Sequence, residues 1–186
     1  MILLGLDISK RATGWELIDL SNPKFTVLTH GGLLLCPYKP PAEGAVETAL
    51  DGDYSSRVFD WFDREIFQLV QEFKPTRVAI EQPMPTQGNT NFLTTHLVHG
   101  CIGVACRIFG RKSIRPKFVA SQTWRAHLGI GRPPKGVKNK SDWYKARAHE
   151  WCRANKIEVE SDDQAEAACI VSWFRDWIAV MEREAA

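Results

Sequence analysis

Four carboxylates stand where chemistry on a phosphate ester would need them. Asp7 ends the apolar run Ile2-Leu3-Leu4-Gly5-Leu6, Glu81 ends Arg77-Val78-Ala79-Ile80, and Asp163 and Glu166 open the last helical segment. Acids at two strand ends and one helix start can converge on a point, and such a point suits hard divalent cations, which take oxygen ligands. Two cations about 4 Å apart can activate a water on one side of a phosphodiester and steady the departing oxygen on the other. Asp163 and Glu166, three residues apart, share a helical face. Asp162 adjoins Asp163 and is the alternative donor at that position.

Each acid also has an ordinary structural reading. Asp7 could begin a turn, Asp162 and Asp163 could complement the positive end of a helix, and Glu166 is a common first-turn residue. Glu81 differs, because a charge closing an otherwise apolar strand is costly without a partner or a metal. Only the conjunction of the four favours chemistry.

Charge is segregated along the chain. The net charge is +2, yet 12 of the 24 lysines and arginines fall between Arg107 and Arg147, with one acid, Asp142, among them. A one-signed stretch of this length, interleaved with Phe118, Trp124, Trp143 and Tyr144, is the footprint of a nucleic-acid binder: cations take the phosphates and rings take bases. Arg111, Lys112, Arg115, Lys117, Trp124, Arg125, Arg132, Lys135, Lys138 and Lys140 are the expected contacts. Lys10 and Arg11, just after Asp7, could reach backbone phosphate.

The elements that must position these groups follow from periodicity. Ile2 to Asp7 is a continuous apolar run, expected mid-sheet and buried on both faces. Gly14 to Leu20 and Phe25 to Leu35 read as strands around an Asn22-Pro23 turn, completing a meander. Cys36 to Asp53 lacks periodicity and reads as an excursion loop. Val58, Phe62, Ile66, Leu69 and Phe73 define an amphipathic helix stopped before Pro75. Arg77 to Glu81 is a fourth strand and Asn91 to Phe109 a second helix, whose Gly100 and Gly103 share a face open to close approach and form a candidate dimer interface. Lys117 to Ala120 is a fifth strand; Ser121 is expected to cap a brief helix ending at Leu128, and Gly129 to Lys140 is a basic loop. Trp143 to Ala154 is a further helix. The last starts at Ser161, paired with Gln164 as a capping box. The order βββαβαβα predicts a mixed α/β sheet covered by helices, with ligands at the carboxyl ends of its parallel strands.

A chain of 186 residues, 44% hydrophobic, suits a single domain over residues 1–186. Five cysteines without a C-x-x-C pair indicate neither a zinc site nor a secreted disulfide framework. With no charged-then-apolar leader and no apolar stretch of about 18 residues able to cross a bilayer, a soluble cytoplasmic protein is expected, with no membrane partner. His96 and His99, at helical spacing, lack neighbouring ligand types and read as surface or interface residues. Trp61, Trp173 and Trp177 read as packing groups, and Trp124 and Trp143, flanking the basic loop, as the better candidates for DNA contact.

Taken in order, Gly5-Leu6-Asp7-Ile8-Ser9 with Thr13-Gly14-Trp15, Ile80-Glu81-Gln82-Pro83, Gly100 to Ala105, and Asp163-Gln164-Ala165-Glu166-Ala167 resemble the RuvC-type Holliday junction resolvases. Ser121-Gln122-Thr123-Trp124-Arg125 with Leu128-Gly129 is similar to the segment before the basic loop in phage-type members. The resemblance implies an RNase H-like five-stranded sheet of order 3-2-1-4-5 with helices on both faces. It implies Asp7, Glu81, Asp163 and Glu166 as catalytic acids, Mg²⁺ or Mn²⁺ as cofactor with two ions per site, a homodimer, and paired nicks in branched DNA; it does not tell whether a helicase partner exists. The chain departs from the pattern at Glu166, where the family usually has Asp. Met84 stands where resolvases often place an aromatic wedge, and Phe92 follows further on. Two other readings compete. One is an actin-like or sugar-kinase-like nucleotide hydrolase, suggested by the Gly5-x-Asp7-x-Ser9 hairpin but lacking a second Asp-Gly-Gly hairpin. The other is a binder that has kept the fold and lost the chemistry, suggested by Glu166.

Overall fold

The computed structural model describes residues 1–9, 11–21, 30–39, 53–83 and 92–185. The expected roles of Lys10 and Met84, the Asn22-Pro23 turn, the first part of the third strand, the Asn91 helix start and most of the Cys36–Asp53 excursion lie outside these residues.

Strands β1 (Ile2–Ile8), β2 (Ala12–Asp19), β3 (His30–Leu35), β4 (Arg77–Glu81) and β5 (Lys117–Val119) form one sheet ordered β3-β2-β1-β4-β5. β1 is antiparallel to β2 and parallel to β4, so the apolar opening run is central, as its composition predicts. Helices are α1 (Asp53–Phe73), α2 (Phe92–Arg111), α3 (Ser121–His127), α4 (Lys140–Ala154) and α5 (Asp162–Glu184).

Because successive side chains of a strand point to opposite faces, each central strand divides its residues between two cores. Leu4, Leu6 and Ile8 of β1, Leu17 of β2 and Val78 and Ile80 of β4 join α1 and α2 in one core. Leu3, Ile18 and Ala79 join α4 and α5 in the other. Glycines let α5 approach closely on that second face. A Cβ on Gly5 would lie 2.7 Å from the Ala167 carbonyl oxygen, and one on Gly14 would lie 1.9 Å from that of Asp163. The small residues Ala165, Ala167 and Ala168, all fully buried, are the helix side of this contact.

Three local expectations change. Ser121 does not cap α3; Ala120 holds that position without a side-chain bond, and Ser121 is buried as the first helical residue. Ser161 does cap α5, accepting from the Gln164 N–H at 3.1 Å. The Gln164 carbonyl oxygen, however, accepts from the Glu160 N–H at 2.8 Å rather than from Ser161. α2 is long and apolar enough to cross a bilayer by length and composition, contrary to the reading of the sequence. Its Leu93, Leu97, Cys101, Ala105, Ile108 and Phe109 are buried in the core shared with α1.

Candidate active site

The alternation that divides the cores also aims the acids. Asp7 lies in phase with Leu3 and Gly5, and Glu81 with Ala79, so both point to the α5 face. The parallel register Leu4↔Val78, Gly5↔Ala79, Leu6↔Ile80, continued by one residue, sets Asp7 beside Glu81 at the carboxyl ends of the two strands. α5 begins over this edge: Gly14, opposite Asp7 in the antiparallel pair, abuts the Asp163 backbone. Asp163 and Glu166, one turn apart, complete the group.

The electrostatics show that the four carboxylates share one field. Burial raises the Asp7 carboxyl well above the usual range, and repulsion from Glu81, Glu166 and Asp163 adds to it, with Arg125 opposing. Glu81 is pushed up to about 7 by burial and by Glu166, against the hydrogen bond from Trp124 and the charge of Arg125. Glu166 and Asp163 are also raised, in each case chiefly by burial.

Protein donors hold two of the acids, and Ser9 lies beside a third. The Trp124 indole N–H donates to Glu81 Oε2 at 2.8 Å and Arg125 Nη2 donates to Glu166 Oε1 at 2.7 Å, while the Ser9 hydroxyl, which donates to the Ala12 carbonyl, lies close enough to Asp163 to favour its charged form. Among the described residues, no three acidic, histidine or cysteine side chains close around a common ion position as they stand. The donor set is nonetheless oxygen-rich, its four carboxylates outnumbering the neighbouring cations Arg125 and Lys145, which is the chemistry a divalent cation fits.

Asp162 and Asp163 are now distinguished. Burial would raise Asp162, but bonds from Lys145 Nζ at 3.1 Å and His149 Nε2 at 3.0 Å outweigh it and hold its carboxyl low. Asp162 faces α4, whereas Asp163 lies in the field of Asp7. Sequence reasoning missed Lys145 and His149 as anchors; their four-residue spacing on one helix was the available signal.

The expected nucleic-acid contacts divide. Trp124 is fully buried with its indole committed to Glu81, so it is not a surface ring. Arg125 is turned inward to Glu166 and stacks on the Trp124 and Tyr144 rings at 4.8 and 4.3 Å. Trp143 is half-buried, edge-on to Tyr144. Arg132, Lys135 and Lys138 are exposed between α3 and α4 and Lys140 is exposed at the start of α4; Arg132 and Lys140 line a cleft with Arg125. Lys117 pairs in register with Ala79, and its ammonium lies over the Trp177 ring at 4.7 Å. The exposed Arg111, Lys112 and Arg115 precede it and lead toward the opposite end of β4 from Glu81. Arg11 and Phe92 are exposed. Gly100 serves packing within the chain, since a Cβ there would meet the Phe59 ring at 2.2 Å; Gly103 is open. His99 bonds the Thr95 carbonyl of its own helix, and His96 packs on Phe59 and Phe92.

No protein-family model matches the chain. It is 27% identical over 132 residues to the crossover junction endodeoxyribonuclease RuvC of Synechocystis sp., covering 71% of this chain and 70% of that protein. Its fold is similar to Thermus thermophilus RuvC, solved in complex with Holliday junction substrate, with a TM-score of 0.65 and 14% identity over 95% of this chain and 96% of that one. It is also similar to the yeast mitochondrial Holliday junction resolvase, with a TM-score of 0.58 and 16% identity over 97% and 80% of the two chains. The mixed sheet of order 3-2-1-4-5 is the RNase H-like architecture of these neighbours. The chain is thus RuvC-like in sequence as well as in fold.

Proposed function

We propose that this protein is a structure-selective endonuclease that resolves four-way and other branched DNA by divalent-metal-dependent hydrolysis, acting as a cytoplasmic homodimer built from one RNase H-like domain per chain. The observation that carries the reading is the meeting of Asp7, Glu81, Asp163 and Glu166 at the carboxyl edge of β1 and β4, where Glu81, Glu166 and Asp163 all raise the proton affinity of Asp7 and Glu166 raises that of Glu81. These four residues would hold Mg²⁺ or Mn²⁺, two ions per site, and the cation when bound supplies Lewis-acid stabilisation of the phosphodiester.

The chain's own groups do the rest. Trp124 fixes the Glu81 carboxylate, and Lys145 with His149 draws Asp162 away so that Asp163 faces the cleft. Arg125 neutralises Glu166, and the longer Glu side chain, in place of the family's Asp, reaches that guanidinium across the gap between α5 and α3. Arg132, Lys135, Lys138 and Lys140 receive the phosphates of the branch. Water adds across the P–O3′ bond, leaving a 5′-phosphate and a 3′-hydroxyl.

Labelled four-way junctions incubated with the protein and Mg²⁺ or Mn²⁺ test the reading, with linear duplex and flaps as comparison. Paired cuts near the branch are expected, and Asp7→Asn is expected to abolish them while junction binding persists. Full activity of Asp7→Asn would reject the mechanism. Tight binding without cleavage in either metal would favour the inactive-binder reading instead.

A further inference from the structure

A cleft beside the acids has features that metal-dependent hydrolysis does not use. It opens between α3, the loop that follows, and the first turns of α4, with a volume of about 570 Å³. That is within the roughly 300–1,000 Å³ of small-ligand sites. Arg125 belongs to both places: Nη2 holds Glu166, and the same side chain lines the cleft with its guanidinium stacked on Tyr144. Its Nε is buried and makes no hydrogen bond.

We propose that this cleft seats one unstacked nucleotide of the branched substrate and thereby sets where the strand is cut. The proposal rests on the nuclease reading and names a specificity site within it. The Tyr144 ring, half-buried in the cleft wall, suits the face of a base. Gln122, exposed on α3, carries both a donor and an acceptor for a base edge. Ile130 and Pro133 supply apolar walls, while Arg132 and Lys140 are exposed cations for the attached phosphate. No acidic residue lines the cleft. A bare anion would have no use for the ring and the apolar walls, and an apolar ligand none for the two exposed cations. A branch point is where a base leaves its stack at least cost.

Gln122 is the probe, because it is exposed and outside the catalytic group. Junctions that differ only in the base flanking the exchange point are cut and the cuts mapped. The expected result is a base-dependent distribution, with an abasic residue at the favoured position lowering cleavage there by about tenfold, the worth of one base contact. Gln122→Ala should flatten the preference among bases, the cut at the favoured position falling about tenfold toward that of the others. A second readout needs no cleavage: 2-aminopurine at that position, bound by Asp7→Asn, should change its fluorescence, and the change should be lost in Gln122→Ala. A preference that Gln122→Ala leaves intact, or a wild-type protein indifferent to the abasic residue, overturns the proposal. A Gln122-dependent 2-aminopurine signal in a protein that cuts no junction would keep the nucleotide site and discard the nuclease.

Discussion

Glu16 offers the sharpest test of how this fold holds its acids. It lies on β2, 2% exposed, and accepts a 2.8 Å hydrogen bond from the Gln164 side-chain amide, beside Asp163. Burial pushes its carboxyl from 4.5 up to about 7, the bond from Gln164 offsetting only part of the effect. The unfolded chain therefore releases this proton near 4.5 and the folded chain only near 7. Stability from this group is complete below the lower value and is lost as pH climbs through the higher one. At about 1.36 kcal/mol per pH unit the full loss is about 3 kcal/mol, of which roughly 2.5 kcal/mol falls between about pH 5 and about pH 8.5. Glu16→Gln keeps the shape and an acceptor for Gln164 but cannot ionise. In urea unfolding, the variant should gain on the wild type by about 2.5 kcal/mol between those two conditions, or by about 5–10 °C in melting temperature for a chain of this size. The other raised carboxyls titrate in both proteins and cancel in the comparison. A difference between variant and wild type that stays constant with pH would refute the reasoning.

Three further outcomes follow from the same geometry. Trp124→Phe keeps the ring packing but removes the donor to Glu81; folding should survive, while manganese affinity by calorimetry and junction cleavage fall by about 10- to 100-fold. Mg²⁺ or Mn²⁺ should raise the melting temperature more at about pH 8 than at about pH 5, because protons held by the raised carboxyls Asp7, Glu81 and Glu166 compete with the cation at the lower pH. Gly14→Ala should destabilise by about 3 kcal/mol or more in thermal unfolding, since its Cβ would overlap the Asp163 backbone at the start of α5.

The elements and the identity of the acids are legible in the chain because they depend on local periodicity. An unbroken apolar run marks β1 as central, and the spacing of Val58, Phe62, Ile66, Leu69 and Phe73 marks α1. A carboxylate closing each of two apolar strands marks Asp7 and Glu81. What each polar side chain faces depends on partners far along the chain, and that only the packed structure decides. Trp124 and Arg125 read as nucleic-acid contacts from their place before a basic loop, yet the packing of α3 against β4 and α5 turns them onto Glu81 and Glu166. Asp162 and Asp163 are equivalent in sequence until Lys145 and His149, on a neighbouring helix, take the first and leave the second to the cleft. The basic run is continuous along the chain, but β5 passes through it, leading Arg111, Lys112 and Arg115 away from the acids, while Arg132 and Lys140 line a cleft with Arg125. Periodicity is a property of neighbouring residues, whereas a hydrogen bond or a shared field requires two groups to meet in space.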